Sequence, residues 1–113
     1  MTFFLSAVGR ENYIFLRDFK SYYDKVKNSV DLNIVYDSFE CGFCGDEDCL
    51  FDGKFCQIDT QNWHFGMGAN ILKEQFRQYN LFKFVKKNNQ IDTWFDYMNQ
   101  FDENCDYNWI IAQ

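Results

Sequence analysis

The segments Thr2-Phe-Phe-Leu-Ser-Ala-Val8 and Leu32-Asn-Ile-Val-Tyr-Asp-Ser-Phe39, with the patterned residues 11–27 between them, decide the fold class. The first is a short apolar run with aromatic and β-branched members, ended by Gly9, which suits a buried strand. Ile34 and Val35 centre a second strand. Between the two, Phe15, Phe19, Tyr22 and Val26 recur at three- and four-residue steps, while Arg17, Asp18, Lys20, Asp24, Lys25 and Lys27 take other positions. That spacing predicts an amphipathic helix with the four apolar residues inward. Strand, helix, strand makes a βαβ unit, with parallel pairing and a right-handed crossover as expectations. The fold class is α/β.

Immediately after the second strand comes Cys41-Gly-Phe-Cys44-Gly-Asp-Glu-Asp-Cys49-Leu-Phe-Asp-Gly-Lys-Phe-Cys56. It holds four of the five cysteines and three of the six glycines, with no run long enough for a helix or a buried strand. Something other than an apolar core must fix its shape: disulfides, a metal or a redox dithiol. Clustered cysteines in a chain of this size fit an oxidising compartment better than the cytosol. With five cysteines, the odd thiol stays free, pairs with another chain, or pairs beyond the ends of this one.

Downstream, residues 57–66 are polar and irregular. Gly68 opens a second helix, residues 69–87, with Ile71, Leu72, Phe76 and Tyr79 inward. Glu74 and Arg77 stand one turn apart and would pair across its surface for roughly 0.2–0.5 kcal/mol. Residues 81–85 read equally as helix or short strand, and residues 86–89 as loop or helix end. A third helix, about residues 91–103, presents Ile91, Trp94, Phe95, Met98 and Phe101 on one side.

A length of 113 residues, 47% hydrophobic, fits a single domain with one core. With 14 Phe, 7 Tyr and 3 Trp, that core is built from large rings. The net charge of −6 excludes nucleic acid and anionic membrane surfaces as partners, which need clustered Lys and Arg. The longest apolar run, residues 3–8, is too short to span a bilayer and lacks the basic flank of a secretory signal.

Cys41-Gly-Phe-Cys44 has the spacing of a thioredoxin-type dithiol. Such a site normally puts its first cysteine at a helix N-terminus, and the Gly-Asp-Glu-Asp that follows does not make that helix. The acidic cluster would also raise a thiol pKa. Structural cystines are therefore favoured. Zinc ribbons join two Cys-x-x-Cys knuckles, whereas Cys49 and Cys56 stand six residues apart, so half the zinc signature is present. Asp46, Glu47, Asp48 and Asp52 lack the alternation and closing Glu of a calcium loop. His64, the single histidine, has no nucleophile or acid partner in its neighbourhood of sequence. Phosphate-loop, Gly-x-Ser-x-Gly and His-Glu-x-x-His motifs are absent, so hydrolase chemistry has no support. No metal and no cofactor are expected.

Three blocks resemble the thioredoxin-like luminal domain of vacuolar sorting receptors. Cys49-x6-Cys56, closing on Gly53-Lys54-Phe55-Cys56, resembles that family's Cys-x6-Cys ending in Gly-Arg-Tyr-Cys. Gly68-x-x-Ile71-Leu72-x-Glu74-Gln75-Phe76-Arg77-Gln78 is similar to Gly-x-x-Val-Val-x-Glu-Asn-Leu-Arg-Gln, followed in both by Phe82-Lys83. Trp94-Phe95-Asp96-Tyr97-x3-Phe101-x3-Cys105 is similar to Trp-Trp-Asp-Tyr-x3-Phe-x3-Cys. More faintly, Phe15-Leu-Arg-Asp-Phe19-Lys20 resembles Phe-Val-Lys-Glu-Phe-Lys, so the likeness covers residues 15–105. The family has a cysteine where this chain has Asn80, which accounts for the odd count. The spacing from Cys44 to Cys49 is one residue longer than in the nearest family pair, and the family's protease-associated, EGF-like and membrane-spanning parts are not in this chain.

The resemblance implies a thioredoxin-like βαβ core with a cysteine-rich, disulfide-bearing insertion and extra helices. It implies one domain over residues 1–113, a piece of a longer receptor chain, in the secretory or endomembrane lumen or outside the cell. The expected function is a non-enzymatic module that binds a protein or peptide in sorting and trafficking. Phe55, Trp63 and Tyr97 are the candidate binding residues, Trp94 being read as core. Cys41, Cys44, Cys49, Cys56 and Cys105 are the disulfide candidates. Two alternatives stay open: a thiol-disulfide oxidoreductase using Cys41 and Cys44, and a structural subunit of a larger assembly.

Overall fold

A computed structural model describes residues 1–7, 10–57 and 68–105. The ends Val8 and Gly9 of the first apolar run lie outside that set, as do Trp63, His64 and most of the irregular segment 57–66. Strand β1 (Thr2–Leu5) and strand β2 (Asn33–Tyr36) pair in parallel, Thr2 opposite Asn33 and Leu5 opposite Tyr36. Helix α1 (Glu11–Val26) connects them. Strands β3 (Cys49–Leu50) and β4 (Phe55–Cys56) form a short antiparallel hairpin, and helices α2 (Gly68–Lys87) and α3 (Ile91–Asn104) complete the chain. The parallel pairing follows the expectation, but each sheet has only two strands among the described residues. Residues 81–85 are helical, inside α2. No described helix is long and apolar enough to cross a membrane.

Alternation along the parallel pair gives it one covered and one open face. Leu5 and Ile34 are buried and Phe3 packs its ring edge-on against Phe15 and Phe19 of α1, at 5.3 and 5.1 Å. On the other face Phe4, opposite Val35, is 79% exposed. The reading of residues 2–8 as a wholly buried strand is thus corrected: helices cover one face of this two-stranded sheet, so only every second residue is enclosed.

The buried stripe of α1 is also displaced. Tyr13, Leu16 and Tyr23 are buried, Phe19 and Val26 are half-buried, and Phe15 and Tyr22 stay exposed. At 100° per residue the stripe sits about a quarter turn from the one predicted. The cause is α3, against which α1 packs: Tyr13 stacks on Phe101 at 5.4 Å and Tyr23 meets Phe95 at 5.3 Å. The Tyr13 hydroxyl donates to the Ala7 carbonyl at 2.8 Å and so is satisfied inside.

Trp94 of α3 is fully buried at the centre, with its ring 5.2 Å from both Phe82 and Phe95 and its indole N–H donating to the Gln78 carbonyl at 3.2 Å. Full burial of a large apolar side chain contributes about 1.5–3 kcal/mol, and here the ring's one polar atom is paired as well. The third helix thus presents the face read from its spacing, Trp94, Phe95, Met98 and Phe101. Asp102, whose side chain is only 3% exposed, ties the far end of α3 to α1 by accepting from Arg10 at 3.1 Å and from Arg17. Burial alone would raise the Asp102 pKa; hydrogen bonds from the two arginines outweigh it and hold the carboxyl below its usual range.

Candidate functional site

One edge of β2 is taken by β1. Asn33 N–H donates to the Met1 carbonyl at 2.9 Å, and alternation in a parallel ladder gives Val35 the same edge. The amides and carbonyls of Ile34 and Tyr36 therefore face away from β1. That outer edge is blunted at its start by Lys86 of α2, whose Nζ donates to the Leu32 carbonyl at 2.8 Å. Beyond its end Phe39 and Cys56 exchange backbone hydrogen bonds of 3.0 and 2.7 Å. Between these two points no described strand pairs with it. A cleft of about 210 Å³ opens there, walled by Ile34, Tyr36, Phe55, Leu72, Phe76 and Tyr79.

The hairpin supplies the far wall. Phe51, Asp52 and Gly53 have φ of 58°, 56° and 86°, so the turn is made by three successive left-handed residues. A Cβ on Gly53 would come 2.4 Å from the Cys41 carbonyl, so that position admits only glycine. A phenylalanine at positive φ is uncommon and costs energy. In return the Phe51 ring meets Phe55 at 5.9 Å and Phe76 at 6.2 Å, while Phe55 meets Phe76 at 5.5 Å, all three edge-on. Phe51 remains 70% exposed at the rim.

Sulfur holds the hairpin in place. Cys49 and Cys56, opposite each other in the β3–β4 register, form one disulfide with Cα atoms 4.1 Å apart; Cys41 and Cys44 form the other, at 5.5 Å. The buried apolar side chains of this segment are those of Cys41, Cys49 and Cys56, with Cys44 half-buried against them. Cys41–Cys44 sits in a turn followed by β3, so no helix starts from the dithiol in its own segment. Cys105 lies outside both cystines, half-buried at the end of α3 against the main core. The segment is docked on α2 by Asp48, whose carboxylate accepts from Gly68 N–H at 3.1 Å, an anion at a helix N-terminus. There a Cβ on Gly68 would fall 1.6 Å from the Gln57 carbonyl, so this close approach also demands glycine.

Beneath the cleft α2 carries polar residues inward. Glu74 is fully buried; it accepts from Arg77 at 3.0 Å, from Gln78 at 3.1 Å and from the Tyr97 hydroxyl at 2.8 Å. Gln78 donates also to the Tyr13 hydroxyl at 3.1 Å and accepts from Tyr36. Gln75 accepts from Ala7 N–H at 3.2 Å and donates to the Asp37 carbonyl at 3.4 Å. These residues link the ends of β1 and β2 to α1 and α3. Burial raises the phenol pKa of Tyr13, Tyr36 and Tyr97, and the Glu74 carboxylate raises that of Tyr97 further, so all three stay neutral donors.

The surface pair expected of Glu74 and Arg77 is thus corrected: the pair forms, but its carboxylate lies in the interior. Of the inward residues read from α2, Ile71 and Leu72 are buried, Phe76 is half-buried and Tyr79 is exposed at the cleft rim. Among the candidate binding residues, Phe55 lines the cleft, Tyr97 is half-buried on Glu74 away from it, and Trp63 lies outside the described residues. The cleft therefore does not unite the three. Sequence reasoning missed the polar hub, although a signal existed: residues 74, 75 and 78 fall at the three- and four-residue steps that join Ile71 to Phe82.

The profile of the vacuolar sorting receptor thioredoxin-like domain matches residues 15–110 of the chain. No curated protein and no solved structure matches it significantly.

Proposed function

The chain belongs to the vacuolar sorting receptor thioredoxin-like domain family, and from that premise we propose that it is a non-enzymatic module binding an extended protein segment at the outer edge of β2. The observation that carries the reading is the apolar cleft beside backbone groups of Ile34 and Tyr36 that no described strand pairs with. A bound segment would add as a strand, its main chain taking those groups and one apolar side chain entering between Phe55, Leu72 and Phe76. Phe55 is then a contact residue, and Tyr97 a positioning residue that acts through Glu74 and Gln78 on Tyr36. The β1–α1–β2 unit is read as part of a thioredoxin-like core in one domain of a longer sorting receptor. Two cystines support a luminal or extracellular setting.

The test is amide exchange in the presence of a library of ten-residue peptides centred on an aromatic or aliphatic residue. The expected result is new protection at Ile34 and Tyr36, lost in Phe55→Ser. Binding that leaves both amides unprotected, or survives Phe55→Ser unchanged, defeats the reading. An assembly subunit is the second reading, drawn from Phe4, Phe43 and Phe84, exposed rings apart from the cleft. Sedimentation of the chain as a monomer at all accessible concentrations would count against it.

A further inference from the structure

The sulfur atoms of Cys44, Cys49 and Cys56 lie within 4.8 Å of one another, and the sulfur of Cys41 is bonded to that of Cys44. All four sulfurs of residues 41–56 are therefore in one cluster. The spacing of Cys49 and Cys56 fails the two-knuckle zinc pattern, but the hairpin supplies by register what the spacing lacks. It sets the two cysteines opposite each other, Cα to Cα 4.1 Å, next to the knuckle Cys41-Gly-Phe-Cys44. Zinc–thiolate bonds of about 2.3 Å put tetrahedral sulfurs about 3.8 Å apart, so on reduction the bonded partners open to that spacing, while Cys44, at 4.8 Å or less from Cys49 and Cys56, closes on them by about 1 Å or less.

We propose that the reduced chain binds one zinc ion through Cys41, Cys44, Cys49 and Cys56, the same sulfurs bracing the segment either as two cystines or around one metal. The physical reason is that this segment buries little besides its cysteines. Once the cystines open, no apolar packing replaces them, and a metal cross-link restores the lost constraint. Cys41, Cys49 and Cys56 are buried and Cys44 is half-buried, which leaves the ion one side of entry. Each cystine is opened by one phosphine and one water, giving two thiols and a phosphine oxide; the ion then displaces thiol protons.

The experiment reduces the chain with a phosphine, removes the reagent without oxygen, and titrates with Co²⁺ and then Zn²⁺. Expected is one Co²⁺ per chain, with visible bands of tetrahedral thiolate cobalt that Zn²⁺ bleaches. The oxidised chain should give no such bands. Cys49→Ser and Cys44→Ser should each weaken uptake beyond the roughly 10–100-fold that loss of an outer-shell partner costs. Cys105→Ser, outside the cluster, should leave it unchanged. Uptake without tetrahedral thiolate bands, retention in both ligand variants, or no uptake by the reduced chain overturns the proposal. None of these results depends on peptide binding at β2.

Discussion

Around Trp94, three helices enclose Leu16, Ile71, Phe82, Met98 and Phe101, and the few polar atoms inside are paired through Glu74 and Gln78. Between residues 41 and 56, the same chain has two strands of two residues, a turn of three left-handed residues and two cystines. The first region is held by area removed from water, the second by covalent bonds that limit the unfolded chain. The difference teaches where each tolerates change: the helical region should fail by losing volume, the hairpin by losing sulfur. The cleft lies where they meet, so its shape depends on both.

The hardest blow to this contrast is Trp94→Ala, expected to cost about 3–5 kcal/mol in denaturant unfolding. If its amide-exchange losses spared all three helices, the helical region would not rest on ring burial. Next comes the paired change Cys49→Ser with Cys56→Ser, expected to cost about 2–3 kcal/mol by the loop-closure argument. Its exchange losses should stay within residues 39–57 while far-ultraviolet circular dichroism keeps the helical signal. Loss of the helices as well would erase the boundary between the regions.

Glu74→Ala sharpens the comparison on its polar side. It removes the acceptor of Tyr97 and Gln78, and about 1–3 kcal/mol is expected for a buried donor left unpaired. A change within the error of equilibrium unfolding would show the hub to be dispensable. The mildest effect is in pH. The Asp102 carboxyl is held below its usual range in the fold, so its stabilisation is complete above the unfolded value of about 3.9 and is lost as pH falls through the lowered one. The stability gap between the wild type and Asp102→Asn should be constant above about pH 5 and shrink below it. A gap that widens on acidification would reverse the assignment.

Much of the architecture was legible in the sequence. The strand, helix, strand order, the inward face of α3 and the dependence of residues 41–56 on sulfur each rest on local spacing or composition. The inward face of α1 was not, because spacing alone favours the stripe Phe15, Phe19, Tyr22 and Val26, and only the position of α3 decides that Tyr13 and Tyr23 turn in. Nor was the cleft, whose walls come from residues 34–36, Phe55 and residues 72–79.

The sequence on its own determined the first two strands and the three helical segments, that its cysteines must brace a coreless loop, and, through three spaced blocks, its family. These are properties of neighbours along the chain, set by side-chain period and backbone preference. Only the folded chain decided that Glu74 lies inside against Tyr97, and that among the described residues no strand covers one edge of β2 beside an apolar cleft. Each of those joins residues far apart in the chain, and burial and pairing exist only once they have met.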